Sequence, residues 1–202
     1  MSKVILFQGD SVTDVDRRAE GGDGLGNGYP KLIAERLKEQ NENTVVLNRG
    51  VSGNRTCDLI NRWTRDCIDI KPDVLTILIG INDCWRKYDR NDETSLDAFV
   101  SNYTKLMDRS KSETDARIIL MEPFVLPFPE DRKEWRVTLD PYIQAVRQFA
   151  VKYQTGLVTL DGIFSKAAIR EGYTALAQDG VHPTPLGHRL IAEAWLEEYR
   201  GR

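Results

Sequence analysis

The chain has 202 residues, with 28 basic and 31 acidic side chains and a net charge of -3 at neutral pH. That length suits a single domain, residues 1–202, large enough to bury a substantial core. Interspersed charge of both signs gives no electrostatic footprint for nucleic acid, and no apolar run reaches the length of a membrane span. Met1-Ser2-Lys3 passes straight into an apolar segment with no room for a signal peptide, so a cytoplasmic chain is expected.

Val4-Ile5-Leu6-Phe7 runs into Gln8-Gly9-Asp10-Ser11 and reads as a buried strand that stops at a glycine turn. This puts Ser11 at the carboxyl edge of a sheet, where open α/β folds keep their ligand crevices. Asp10 and Ser11 admit two readings there, caps of the next helix or a nucleophile with its neighbour. The Gly21–Gly28 stretch matches neither G-x-x-x-x-G-K-[ST] nor G-x-G-x-x-G and reads as a loop near the mouth of the site. A helix carrying Leu32, Ile33 and Leu37 follows, with Pro30 near its start.

Thr44–Asn48 reads as a second strand, ending in Arg49-Gly50-Val51-Ser52-Gly53-Asn54-Arg55. Leu59, Ile60, Trp63, Cys67 and Ile68 predict a helix stopped by Lys71-Pro72. Asp73–Ile79 reads as a central parallel strand, apolar at nearly every position, ending in Gly80-Ile81-Asn82-Asp83. Residues 86–94 are expected to be a surface loop, and Phe99, Tyr103 and Leu106 mark a helix. A fourth strand at Arg117–Met121 leads into the proline-rich segment 123–129, read as an exposed substrate wall or a contact with a neighbouring loop or subunit. A long helix from Trp135 or Asp140 to Tyr153, a strand at Gly156–Leu160, a short helix over Ile163–Arg170 and a last helix over Leu186–Tyr199 complete the chain. Trp195, with Leu190, Ile191 and Ala194 beside it, fits either core packing or a contact in a homo-oligomer.

Strands alternating with helices predict a three-layer α/β/α fold on a five-stranded parallel sheet, and the precedent of such folds supplies the flavodoxin-like order 2-1-3-4-5. Ser11, Gly53 and Asn82 then leave neighbouring strand ends. The chain has two histidines. In Asp179-Gly180-Val181-His182 the carboxylate and imidazole lie three residues apart, within about 7 Å across a turn, as a base and its orienting acid require. His188, at the start of the last helix, reads as a packed residue. Gly53 and Ser11 offer backbone N–H groups, and Asn82 its carboxamide, to a developing oxyanion; turn and cap roles are the plain readings of Gly53 and Asn82.

Cys57 and Cys67, ten positions apart on one expected helix, lie about 15 Å apart along its axis, too far for a disulfide. With no C-x-x-C and no H-E-x-x-H, neither metal nor cofactor is expected. Cys84 reads as either a reactive thiol or a small packed side chain.

Taken in order, Gly9-Asp10-Ser11, Gly53, Gly80-Ile81-Asn82-Asp83 and Asp179-Gly180-Val181-His182 resemble the four blocks of the SGNH (GDSL-type) hydrolase family, over nearly the whole chain. The resemblance implies Ser11 as nucleophile, His182 as general base, Asp179 as its orienting acid, and an oxyanion hole of Ser11, Gly53 and Asn82. The first block departs from G-D-S-L in Val12, and the G-x-S-x-G elbow of α/β-hydrolases is absent. Gly50-Val51-Ser52-Gly53-Asn54, the segment 79–86 and Met121-Glu122-Pro123-Phe124 look most like intracellular acetyl-xylooligosaccharide esterases. Those have a tryptophan after the third block, matched by Trp85, and another before the last aspartate, where this chain has Gln178. Trp85, Arg55, Arg86 and Asp10 are the candidate substrate contacts; for Trp85, anchoring a loop is the other reading. A small-molecule acetyl ester of a carbohydrate is the expected substrate. The alternatives are a lysophospholipase or thioesterase of the same family, or a non-catalytic flavodoxin-like binding module.

Overall fold

The structure, a computed structural model, describes residues 2–201. Among them five strands form one parallel sheet: β1 (Lys3–Gly9), β2 (Thr44–Asn48), β3 (Val74–Leu78), β4 (Arg117–Met121) and β5 (Gly156–Val158). Their order is β2-β1-β3-β4-β5, the order expected from fold precedent. The helices are α1 (Ser11–Asp14), α2 (Tyr29–Glu39), α3 (Thr56–Asp66), α4 (Ile81–Arg90), α5 (Leu96–Glu113), α6 (Arg132–Tyr153), α7 (Leu160–Glu171), α8 (Tyr173–Leu176) and α9 (Pro185–Arg200).

Alternation along the strands divides the core in two, because successive side chains point to opposite faces. Leu6, Leu75, Ile77, Ile118 and Leu120 pack with Leu59 and Trp63 of α3, Phe99 and Tyr103 of α5 and Leu139 and Val146 of α6. Ile5, Phe7, Ile119 and Met121 pack with Ile33 and Leu37 of α2, Phe164 of α7 and Ile191 and Trp195 of α9. Helices thus cover both faces, giving the expected three layers. Trp195 is fully buried, so core packing is its role, and its indole N–H donates to Thr76 Oγ1 on β3 at 2.8 Å.

Several expected boundaries move. Residues 86–90 continue α4 instead of forming a loop, since Trp85 and Tyr88 pack against Trp135 with ring centroids 5.2 and 5.4 Å away; Asn91, at φ +52°, ends the helix. Helix α3 stops at Asp66, and Ile68–Ile70 form a 3₁₀ turn. Cys57 is therefore exposed on α3 and Cys67 buried just beyond it, both as free thiols. Helix α6 starts earlier than expected, at Arg132. The segment 123–129 is not an exposed wall: Phe124, Val125 and Leu126 are buried, and Phe128 alone among its large apolar residues is substantially exposed.

The Thr76–Trp195 bond joins the central strand to α9 inside an apolar layer, where an unpaired indole N–H costs about 1–3 kcal/mol. Thr76→Val should lower unfolding free energy by that amount in a denaturant titration, without loss of m-value.

Candidate active site

Asp10 is the N-cap of α1: its Oδ1 accepts from Val12 N–H at 3.0 Å. The residue is only 1 % exposed, and burial pushes its carboxyl up to about 7. Of the readings of Asp10, the cap is the one its hydrogen bond shows, with one carboxyl oxygen engaged in it. Ser11 follows as the first helical residue, with an N–H that has no intrahelical partner by position. Its Oγ lies 2.9 Å from His182 Nε2.

The segment 179–182 is organised by the Asp179 carboxylate. One oxygen accepts from Val181 N–H at 2.9 Å and His182 N–H at 2.7 Å; the other lies 2.6 Å from His182 Nδ1. Burial works against its charge, yet these bonds hold the carboxyl well below the usual range. An ionised carboxylate only accepts, so Nδ1 carries the proton and Nε2 is left as the acceptor facing Ser11. The hydrogen bond to Asp179 raises the His182 pKa above its ordinary value, with Asp10 adding to it and burial and Arg132 opposing it. Gly180 takes φ +81°, and a Cβ there would sit 2.0 Å from Phe128 O. Leu126 N–H donates to Gly180 O at 2.9 Å. The proline-rich segment therefore braces this turn from below.

Gly53 occupies φ +82° in the turn after β2, a conformation that side chains rarely adopt. That turn is tied to α1 by Asp14, whose Oδ2 accepts from Ser52 N–H at 3.0 Å and Ser52 Oγ–H at 2.7 Å. Asn82, in the first turn of α4, donates from Nδ2 to Asn54 O at 3.2 Å and accepts at Oδ1 from Arg86 Nη2 at 3.1 Å. The neighbouring Asp83 is fully buried and accepts from Thr56 N–H at 3.0 Å and Thr56 Oγ1 at 2.7 Å. Burial nonetheless raises its carboxyl to about 6. Arg62 completes the frame, donating to Gly9 O at 3.2 Å, Gln8 Oε1 at 2.8 Å and Asn54 Oδ1 at 2.8 Å. The ends of β1 and β3 and the turn after β2 are thus cross-braced by charged hydrogen bonds, which fix geometry better than neutral ones.

Trp85 is half-buried, its ring centroid 5.7 Å from that of His182 and 5.2 Å from the Arg132 guanidinium. Arg132 also lies 4.0 Å over Trp135 and donates from Nε to Asp179 O at 3.2 Å. Arg86 is engaged with Asn82 and pairs with Asp89. Arg55 pairs with Asp92. Gln178 is exposed and lines an open cleft of about 470 Å³ together with Asp179, His182, Pro183, Thr184 and Pro185.

His188 is buried; its Nδ1 accepts from Tyr29 N–H at 3.3 Å, and burial, with a smaller contribution from His182, lowers its pKa to about 4. Cys84 is fully buried, and burial pushes its thiol up to about 12, so it serves as packing. Among the described residues no three His, Cys, Asp or Glu side chains gather as a metal site, and no helix is long and apolar enough to cross a membrane.

Sequence reasoning missed Asp14, Arg62 and Arg132 as supports of the site. Arg132 lies 47 residues from Asp179, and no local pattern links the two. Asp83 stood inside a quoted motif, but its bond to Thr56 crosses between two helices and leaves no periodic signal.

Residues 7–190 match the GDSL-like lipase/acylhydrolase family. The chain is 36% identical over 204 residues to a curated acetylxylan esterase of Geobacillus stearothermophilus, covering 96% of this chain and 92% of that protein. A solved variant of an acetyl xylan esterase from the same organism superposes with a TM-score of 0.89 at 35% identity, covering 98% of this chain and 94% of that one. An alpha/beta hydrolase enzyme from the metagenome of Lake Arreo, Spain, gives 0.88 at 29% identity over 98% and 96% of the two chains. Two other solved forms of the Geobacillus enzyme are catalytic mutants, one at a serine and one at a histidine. This chain belongs to the GDSL-like lipase/acylhydrolase family and is a carboxylic ester hydrolase.

Proposed function

We propose that the protein removes small acyl groups, acetyl above all, from carbohydrate esters such as acetylated xylo-oligosaccharides, through an acyl-enzyme on Ser11. The observation that carries the mechanism is the continuous chain Ser11 Oγ–His182–Asp179, with contacts of 2.9 and 2.6 Å. In this reading Ser11 Oγ attacks the ester carbonyl as Nε2 of His182 takes its proton. Ser11 N–H, Gly53 N–H and the Asn82 carboxamide bind the oxyanion as it develops. The imidazolium returns the proton to the departing sugar hydroxyl, leaving an acetyl group on Ser11. A water activated by the same imidazole then releases acetate.

The substrate class rests on the 36% identity to an acetylxylan esterase and on the indole of Trp85 beside His182. Its apolar face, backed by Arg132, suits stacking on a sugar ring. Gln178, where the resembling esterases carry a tryptophan, leaves one wall of the cleft polar.

Five outcomes test this. Ser11→Ala should abolish turnover while leaving the melting temperature within a few degrees of wild type. Asn82→Ala should lower kcat by about 10²–10³. Across nitrophenyl esters from acetate to octanoate the rate should fall steeply after acetate; a preference for long chains would reassign the protein to the lysophospholipase or thioesterase side. Because only neutral His182 can take a proton, kcat/KM should fall on the acid side, with a midpoint above the ordinary histidine value of about 6.5. Asp179→Asn removes the main cause of that elevation, so its residual activity should show an acid limb at lower pH and a rate reduced by about 10⁴.

A further inference from the structure

We propose that Arg86 is a positioning residue that orients and polarises the Asn82 carboxamide for the oxyanion, and is not a substrate contact. The proposal rests on the oxyanion-hole reading of Asn82 given above. Arg86 and Asn82 lie four residues apart on α4, one turn of the same face. The guanidinium donates to Asn82 Oδ1 at 3.1 Å, and Asn82 Nδ2 donates to Asn54 O at 3.2 Å. A guanidinium has only donors and a backbone carbonyl only accepts, so the two partners together forbid the flipped amide. One N–H of Nδ2 is spent on Asn54, and the second remains for an oxyanion.

The bond does more than aim the group. Asn82 is almost fully buried, and the Arg86 side chain is 15% exposed. A charge-assisted bond to Oδ1 in such surroundings draws electron density from the amide nitrogen and makes its free N–H a stronger donor. The same positive charge lies behind the donor as negative charge develops in front of it. Both effects act on the transition state and not on the bound ester. Arg86 is itself held by Asp89 and lies with its guanidinium carbon 5.5 Å from the Trp85 ring centroid, so its pose is set by the protein before any substrate arrives.

The test is a double-mutant cycle on nitrophenyl acetate with Arg86→Met, Arg86→Lys, Asn82→Ala and the two Arg86 variants combined with Asn82→Ala. Arg86→Met keeps the apolar stem; it should lower kcat about tenfold with KM changed less than twofold. That loss is smaller than the loss of the donor itself, about 10²–10³. Arg86→Lys, which keeps a cationic donor, should lose less. In the Asn82→Ala background neither Arg86 variant should slow the enzyme further, by more than about twofold. Melting temperatures identify any variant that is unfolded, and the Lys arm of the cycle then carries the comparison. A rise in KM with kcat intact would make Arg86 a substrate contact and overturn the proposal, as would losses that multiply across the cycle. Asn82→Ala at the wild-type rate would remove the oxyanion reading itself, and this proposal with it; multiplying losses on a slow Asn82→Ala enzyme would remove only the role of Arg86.

Discussion

Everything at the site depends on β1 lying between β2 and β3 in a parallel sheet. The register pairs Phe7 with Asn48 and Gly9 with Leu78, so all three strands end at nearly the same level. Adjacent strands are about 4.8 Å apart. The segments leaving them, Asp10-Ser11, Arg49–Gly53 and Gly80–Asn82, therefore start within one side chain's reach of each other. Parallel pairing also sends each chain away through a helix, and this leaves the carboxyl edge open to a ligand.

Proximity alone would leave three mobile loop ends, and the polar frame beneath them removes that freedom. Asp14 takes both donors of Ser52, Asp83 takes both donors of Thr56, and Arg62 spans Gly9 and Asn54. Each of these carboxylates or guanidiniums bonds to a neighbouring segment that carries a proposed oxyanion donor. Burying such groups is costly unless every bond is made. Once made, the bonds allow little alternative geometry. Preorganised donors of this kind stabilise a transition state without having to reorganise as charge develops.

The Asp179–His182 turn comes to the site from the far end of the chain and has no strand of its own to hold it. Three distant elements do so. The buried segment 124–126 bonds to Gly180, Arg132 on α6 bonds to Asp179 O, and Trp85 on α4 packs against the imidazole. The indoles of Trp85 and Trp135 enclose the Arg132 guanidinium and give its charge an aromatic face in place of water. The residues expected to form an exposed wall thus serve as the floor under the histidine.

Much of this was legible in one dimension. The strands at Thr44–Asn48 and Arg117–Met121 matched residue for residue, because β-branched and apolar runs bounded by turn residues carry their own signal. The triad candidates were legible because an Asp-x-x-His turn is a local geometry and Ser11 ends a strand that announces itself. The helix over 86–90 and the early end of α3 were not legible, and the sequence left open whether the proline-rich segment is exposed or packed. Each is decided by a partner remote in sequence: Trp135 for α4, the Gly180 turn for 124–126, and the Asp66–Gln8 contact for the end of α3. The same reason governs Arg86 and Arg132: an arginine bonded to a buried carboxamide and a guanidinium between two indoles look the same in sequence as solvated charges. The sequence by itself determined the alternation of strands and helices, the family resemblance and the proposed reacting side chains, since local patterning encodes these; the strand order came from fold precedent. Only the tertiary structure decided which charged residues are buried and which groups they bond, because burial and hydrogen-bond partners are properties of the packed chain.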